Sequence, residues 1–158
     1  VNELRIVSPK CDIFSLEAKK MALKGLRYID NCKIFNSIEQ AIFDCDLVIA
    51  TCGRIDLSND IECESPEDIS KWISSFVEIN NLGILFGRED RGLSNNELLF
   101  AHKILNIKTS QNYPSLNLSH AVSIILYELN KSSTNNVEKD LQVLTLHHQN
   151  KFMNLLKK

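Results

Sequence analysis

At 158 residues, with 44% apolar and 24% charged side chains, the chain is sized for one compact domain with a continuous core. A formal charge of −2 and a pI near 6.1 exclude a global basic field, so any nucleic-acid contact has to come from a local patch or an oligomer surface. No apolar run reaches the roughly 18 residues of a membrane span, no signal-peptide pattern opens the chain, and Cys11, Cys32, Cys45, Cys52 and Cys63 form no CxxC pair, which argues against a zinc ribbon or disulfide framework and for a reducing cytoplasm.

In chain order, Leu4 to Val7 reads as a buried strand and Leu16 to Lys24 as a helix ended by Gly25. Lys33 to Phe35 is a second strand, Ser37 to Phe43 a helix, and Leu47 to Ala50 a third strand. Pro66 to Ile79 is a helix with proline suited to its first turn. Ile84 to Phe86 and Ile104 to Ile107 are further strands, separated by a helix that opens on Ser94-Asn-Asn-Glu97, the pattern of a capping box. The stretch Leu116 to Leu129 is apolar enough to predict a largely buried helix, with some surface available to a second subunit. Strand and helix alternate, which predicts an α/β domain with one mostly parallel sheet flanked by helices. This domain covers residues 1–131. The polar run Lys131 to Asn136 is a linker, and residues 132–158 hold it and an amphipathic extension with Leu141, Leu144, Phe152 and Leu155.

Three segments carry residues suited to chemistry. Ile84-Leu-Phe-Gly-Arg-Glu-Asp-Arg-Gly-Leu-Ser94 runs a buried strand into a charged loop with two glycines, and open α/β sheets bind ligands at such strand ends. Gly87 and Gly92 permit positive φ or close backbone approach, and Arg88, Glu89 and Arg91 supply charge; a solvated turn is the structural alternative. Leu47-Val-Ile-Ala-Thr-Cys-Gly-Arg54 empties a strand into Thr51, Cys52, Gly53 and Arg54 in the same way. In Tyr113-Pro-Ser-Leu-Asn-Leu-Ser119, Ser115 or Asn117 is placed to cap the following helix. His102, His120, His147 and His148 make no persuasive base or metal site.

Together these segments resemble the SpoU family of ribose methyltransferases, in the trefoil-knotted SPOUT class. Phe86-Gly-Arg-Glu89 with Gly92-Leu-Ser94 resembles the family's second motif, and Ser115-Leu-Asn-Leu118 with Ala121-Val122 its third, in matching order and separation. Within the family, Arg5-Ile-Val-Ser-Pro9, Thr51-Cys-Gly-Arg54 and the helical extension are most similar to the TrmJ-like tRNA methyltransferases. The resemblance implies a knotted fold, a homodimer formed through the knot and the last core helix, and transfer of a methyl group from S-adenosylmethionine to an RNA 2′-OH, with tRNA the expected substrate and no metal. It assigns the methyl donor to Thr51, Cys52, Gly53, Gly87, Ile107, Pro114, Ser115 and Leu116. Glu89, Ser115 and Asn117 are the implied catalytic residues, and Arg54, Arg88 and Arg91 the implied phosphate contacts.

Family members open on a strand, loop and helix whose asparagine and arginine form the first motif. Nothing before Leu4 supplies them, so the expectation is that this front unit is missing, by truncation or by loss. Two further readings follow: an rRNA 2′-O-methyltransferase, and a non-catalytic RNA-binding or dimerisation relative that kept the knot. A generic nucleotide-binding domain finds no GxGxxG or P-loop pattern in its support.

Overall fold

The structure is a computed structural model, and it describes residues 1–53, 62–110 and 116–131. Its elements are β1 (Arg5–Val7), α1 (Leu16–Ala22), a 3₁₀ turn at Leu23–Gly25, α2 (Leu26–Asp30), β2 (Lys33–Phe35), α3 (Ile38–Ile42) and β3 (Leu47–Thr51). They continue with β4 (Cys63–Glu64), α4 (Pro66–Ile73), β5 (Leu82–Leu85), α5 (Asn95–Leu98), β6 (Lys103–Leu105) and a helix α6 over residues 118–131. The α/β character and parallel pairing agree with the sequence. The predicted extension over 132–158 lies outside the described residues.

The strands form two sheets where the sequence suggested one. β1 pairs with β2, and four strands run in the order β4-β6-β3-β5, every pair parallel. Among the described residues no ladder joins the two sheets; a side chain of the smaller one is tied to the end of α3, which leads into β3. Arg5, on β1, reaches the Asp44 carboxylate and the Ala41 carbonyl at the end of α3, also engages Glu3, and lies 5.8 Å from the Phe35 ring centroid.

β3 is Leu-Val-Ile-Ala-Thr, an uninterrupted apolar run because both of its edges and both of its faces are covered. Ile49 pairs with Ile84 on one side and Lys103 on the other. Ile49 joins Ile69 of α4, Leu105 of β6 and Ile125 of α6 in the fully buried core, with Trp72, Ile84, Phe86, Ile107 and Leu129 packed around it. At the amino end of β3 the Val48 N–H donates to His102 Nδ1 at 3.0 Å, and the His102 N–H donates to the Val48 carbonyl at 2.8 Å. His102 thus ties the entry to β6 to the amino end of β3.

Serine begins four of the helices. The hydroxyls of Ser15, Ser37, Ser65 and Ser94 each accept from the backbone N–H three residues on, satisfying one of the donors a helix start leaves open. Serine also ends α4: Ser74 Oγ donates to the Ser70 carbonyl at 2.9 Å and Ser75 Oγ to the Trp72 carbonyl at 2.6 Å. Those hydroxyls compete for helix carbonyls, which is why α4 stops at Ile73 rather than running to Ile79. Gly25 does not end α1 either. It lies at φ −81° in the right-handed region, and the break falls at Leu23, with φ 44°, from which the chain tightens and continues into α2.

α6 is less buried than its composition suggested. Ile125 is 1% exposed, but Ile124 is 38% and Tyr127 65% exposed, so one apolar face packs on the core and another does not. The core face predicts that Ile49→Ala, which removes a fully enclosed side chain, destabilises the protein by about 2–5 kcal/mol, read as a lower urea midpoint with an unchanged slope.

Candidate functional site

Because β3 has β5 on one side and β6 on the other, the chain leaves its carboxyl edge in opposite directions, and this is the position where open parallel sheets form a crevice. A cleft of about 250 Å³ lies there, just below the roughly 300–1,000 Å³ of typical small-molecule sites. Three strand ends and the start of α6 build it. β3 contributes Thr51, Cys52 and Gly53; β5 contributes Phe86 and the loop from Gly87 to Leu93; β6 contributes Leu105 and Ile107; Leu116, Leu118, Ala121 and Ile125 close the far wall.

The strand ends are tied to one another. Thr51 Oγ1 donates to the Leu85 carbonyl at 3.0 Å, joining β3 to β5. The Cys52 N–H donates to the Leu105 carbonyl at 2.9 Å, and the Asn106 side-chain amide donates to the Cys52 carbonyl at 2.7 Å.

The loop after β5 closes on itself. The Gly92 N–H donates to the Arg88 carbonyl at 2.8 Å in an isolated antiparallel bridge. A Cβ on Gly87 would lie 2.2 Å from the Gly92 carbonyl carbon, so glycine is required there by the loop's own backbone, and Gly92 takes φ +70°. Arg88 makes a two-pronged contact with Asp90 at 2.8 and 2.6 Å, which holds the Asp90 carboxyl below its ordinary range. Arg91 reaches both oxygens of Glu97 at 3.1 and 3.2 Å. Glu97 also completes the capping box of α5, accepting from the Ser94 N–H at 2.6 Å and its hydroxyl at 2.7 Å. The Arg91 guanidinium, then the two Ser94 donors, hold the Glu97 carboxyl down to about 2. Glu89 lines the cleft and makes no ion pair among the described residues.

Of the residues proposed from sequence, the fold brings Thr51, Cys52, Gly53, Gly87, Arg88, Glu89, Arg91, Ile107 and Leu116 to this one cleft. Arg54, Pro114 and Ser115 lie outside the described residues. Asn117 is not part of the lining. Its Oδ1 accepts from the Ser119 N–H at 2.9 Å and hydroxyl at 2.7 Å, and its carbonyl accepts from the Ala121 N–H at 3.1 Å, so it caps α6 at the rim. In the apolar wall, Phe86, Leu93, Leu118 and Ala121 belong to the motifs but were given no role from sequence, and Leu105 and Ile125 read only as strand and buried helix. Asn106 was missed too, although one polar residue inside Ile104-Leu-Asn-Ile107 marks a buried amide.

Two outcomes follow from this geometry. Gly87→Ala forces the 88–93 loop off the end of β5 and lowers stability by about 2 kcal/mol or more, measured by urea unfolding. Glu97 has a folded-state pKa below its ordinary 4.5, so its contribution to stability is complete above about pH 4.5 and is lost as pH falls through about 2. Glu97→Gln should flatten the stability–pH curve across that window, as followed by thermal unfolding at each pH.

Comparison with known proteins agrees with this arrangement. The sequence profile of the SpoU rRNA Methylase family matches residues 1–127. The tRNA (cytidine-2′-O-)-methyltransferase TrmJ of Methanocaldococcus jannaschii is 39% identical over 142 residues, covering 89% of this chain and 61% of that protein. TrmJ of Sulfolobus acidocaldarius is 38% identical over 138 residues, covering 87% and 57%. Among solved structures, a probable methylase family protein from Haemophilus influenzae superposes with a TM-score of 0.72 at 33% identity, covering 89% of this chain and 58% of that one. TrmJ from Z. mobilis gives 0.71 at 30% identity, covering 83% and 57%. The chain thus spans about three fifths of the length of these curated relatives. A cleft at the β3 switch point, built from the segments that carry the second and third motifs, together with this profile match, places the chain in the SpoU family of RNA methylases.

Proposed function

We propose that the protein is an S-adenosylmethionine-dependent RNA 2′-O-ribose methyltransferase that acts on tRNA. The observation that carries this reading is the convergence of Thr51–Gly53, Gly87–Leu93 and Leu105–Ile107 on one cleft. The cleft suits an adenosine-bearing ligand: Leu105, Ile107, Leu116 and Ile125 offer an apolar wall to a purine ring, and backbone groups of the strand ends surround it. In this reading those backbone groups, with Pro114 and Ser115, hold the methyl donor, which when bound supplies an electrophilic methyl group.

A ribose hydroxyl is a weak nucleophile near neutral pH, so the chain must hold it in line and relieve it of its proton. Glu89, which makes no ion pair among the described residues, is available to orient an arginine at the reacting end. Asn117 uses its carbonyl and Oδ1 to cap α6, which leaves its amide N–H groups for the loops and the nucleotide. Ser115 belongs with it in the third motif. Arg54, Arg88 and Arg91 are assigned to phosphates, contacts that position RNA without reading its sequence; Arg88 and Arg91 would exchange Asp90 and Glu97 for them. The specificity for tRNA rests on what the two TrmJ relatives are named for. A family description in terms of rRNA supports the rRNA variant.

The reading includes a trefoil knot around the donor and a homodimer. The apolar surface of Ile124 and Tyr127, left open at 38% and 65%, supports a subunit interface along α6. No helix among the described residues is long and apolar enough to cross a membrane, which accords with a cytoplasmic tRNA modifier.

The test is calorimetric titration with adenosylmethionine, followed by transfer of labelled methyl to tRNA and to rRNA. One donor per chain and label at a tRNA 2′-OH are expected, with Glu89→Ala lowering turnover about 10²-fold while donor affinity stays near that of the wild type. A folded chain that binds no donor sinks the proposal; binding without transfer to either RNA leaves the RNA-binding relative.

A further inference from the structure

We infer that Asn106 is a positioning residue of this site, one that frees the Ile107 N–H for a ligand by taking over the Cys52 carbonyl. The inference rests on the methyl-donor reading for the identity of that ligand. Where β3 and β6 run side by side, Thr51 is in register with Leu105 and the Cys52 N–H donates to the Leu105 carbonyl at 2.9 Å. In a parallel ladder the bonds are evenly spaced, and the next one would run from the Ile107 N–H to the Cys52 carbonyl. That bond is not made. The Asn106 side-chain amide donates to the Cys52 carbonyl instead, at 2.7 Å.

Asn106 is well placed for this substitution. It is 6% exposed, lies outside the cleft lining, and its backbone N–H is fixed on the Glu64 carbonyl of β4 at 2.9 Å. Its side chain is thus held behind the cleft wall between three strands. Ile107 does line the cleft, and its N–H has no hydrogen-bond partner among the described residues. A backbone donor at the mouth of an apolar pocket is costly to leave unpaired, and an adenine ring nitrogen or ribose oxygen is a fitting acceptor for it. An apolar residue at 106 would let the ladder zip one step further and draw that donor into the sheet.

The test measures amide hydrogen exchange at Ile107 by NMR and adenosylmethionine affinity by calorimetry, in the wild type, Asn106→Leu and Asn106→Ser. In the wild type the Ile107 amide should exchange freely without ligand and slow at least about tenfold when adenosylmethionine saturates the site. In Asn106→Leu it should already be slow without ligand, and the dissociation constant should rise about tenfold, which corresponds to about 1.4 kcal/mol. In methyl transfer this appears as a raised KM for adenosylmethionine with kcat little changed, a split that general destabilisation does not produce. Asn106→Ser, too short to reach Cys52, should move both readouts the same way. Slow Ile107 exchange in the unliganded wild type, or wild-type affinity in a folded Asn106 variant, overturns the inference alone. A folded wild type that binds no adenosylmethionine overturns the proposed function together with the ligand named here.

Discussion

The pairing of β3 with β5 on one edge and β6 on the other is the constraint from which the rest of the molecule follows. It buries Leu47 to Ala50, which requires the apolar run, and it sends the following segments to opposite sides of the strand. The backbone groups at the carboxyl ends of β3, β5 and β6 then run out of ladder partners at about the same level. Thr51, Asn106 and the closed loop after Gly87 each supply part of what the ladder no longer provides. A cleft lined by strand ends is the product of that sheet order.

Much of this was legible in the amino acids, for reasons that differ from element to element. The β3 run, the capping box at Ser94 and the first-turn proline of α4 are local signals, and local signals do not depend on what lies across the sheet. The end of α4 was less legible because two serines compete for carbonyls only once the helix exists to offer them. β4 was invisible: two residues, Cys63 and Glu64, hold their place through β6 and carry no pattern of their own. The separation of β1 and β2 from the other strands is likewise a matter of which edges meet, and alternating strand and helix patterns say nothing about that.

The site shows the same division. Motif order and spacing pointed to the segments around Thr51, Gly87 and Leu116, and the fold places them together. What the residue types left open was how each one acts. Gly87 reads equally well as room for a ligand and as room for the chain, and the 2.2 Å approach to Gly92 shows that the chain itself uses it. Arg88 and Arg91 carry the charge of a phosphate contact in the sequence, and in the structure each is held by a carboxylate from its own loop or the next helix. The apolar wall passes for core in the sequence because it is continuous with core: Leu105 and Ile125 face both.

The self-closure of the loop from Gly87 to Leu93 also bears on how a ligand would experience this side of the cleft. Its backbone is fixed by the Arg88–Gly92 bridge and by the packing of Gly87. Fixing the backbone of each residue costs roughly 1–2 kcal/mol in conformational entropy, and here that loss is incurred when the chain folds. Association therefore meets a rigid jaw, and contacts made with it count toward affinity without a deduction for ordering it.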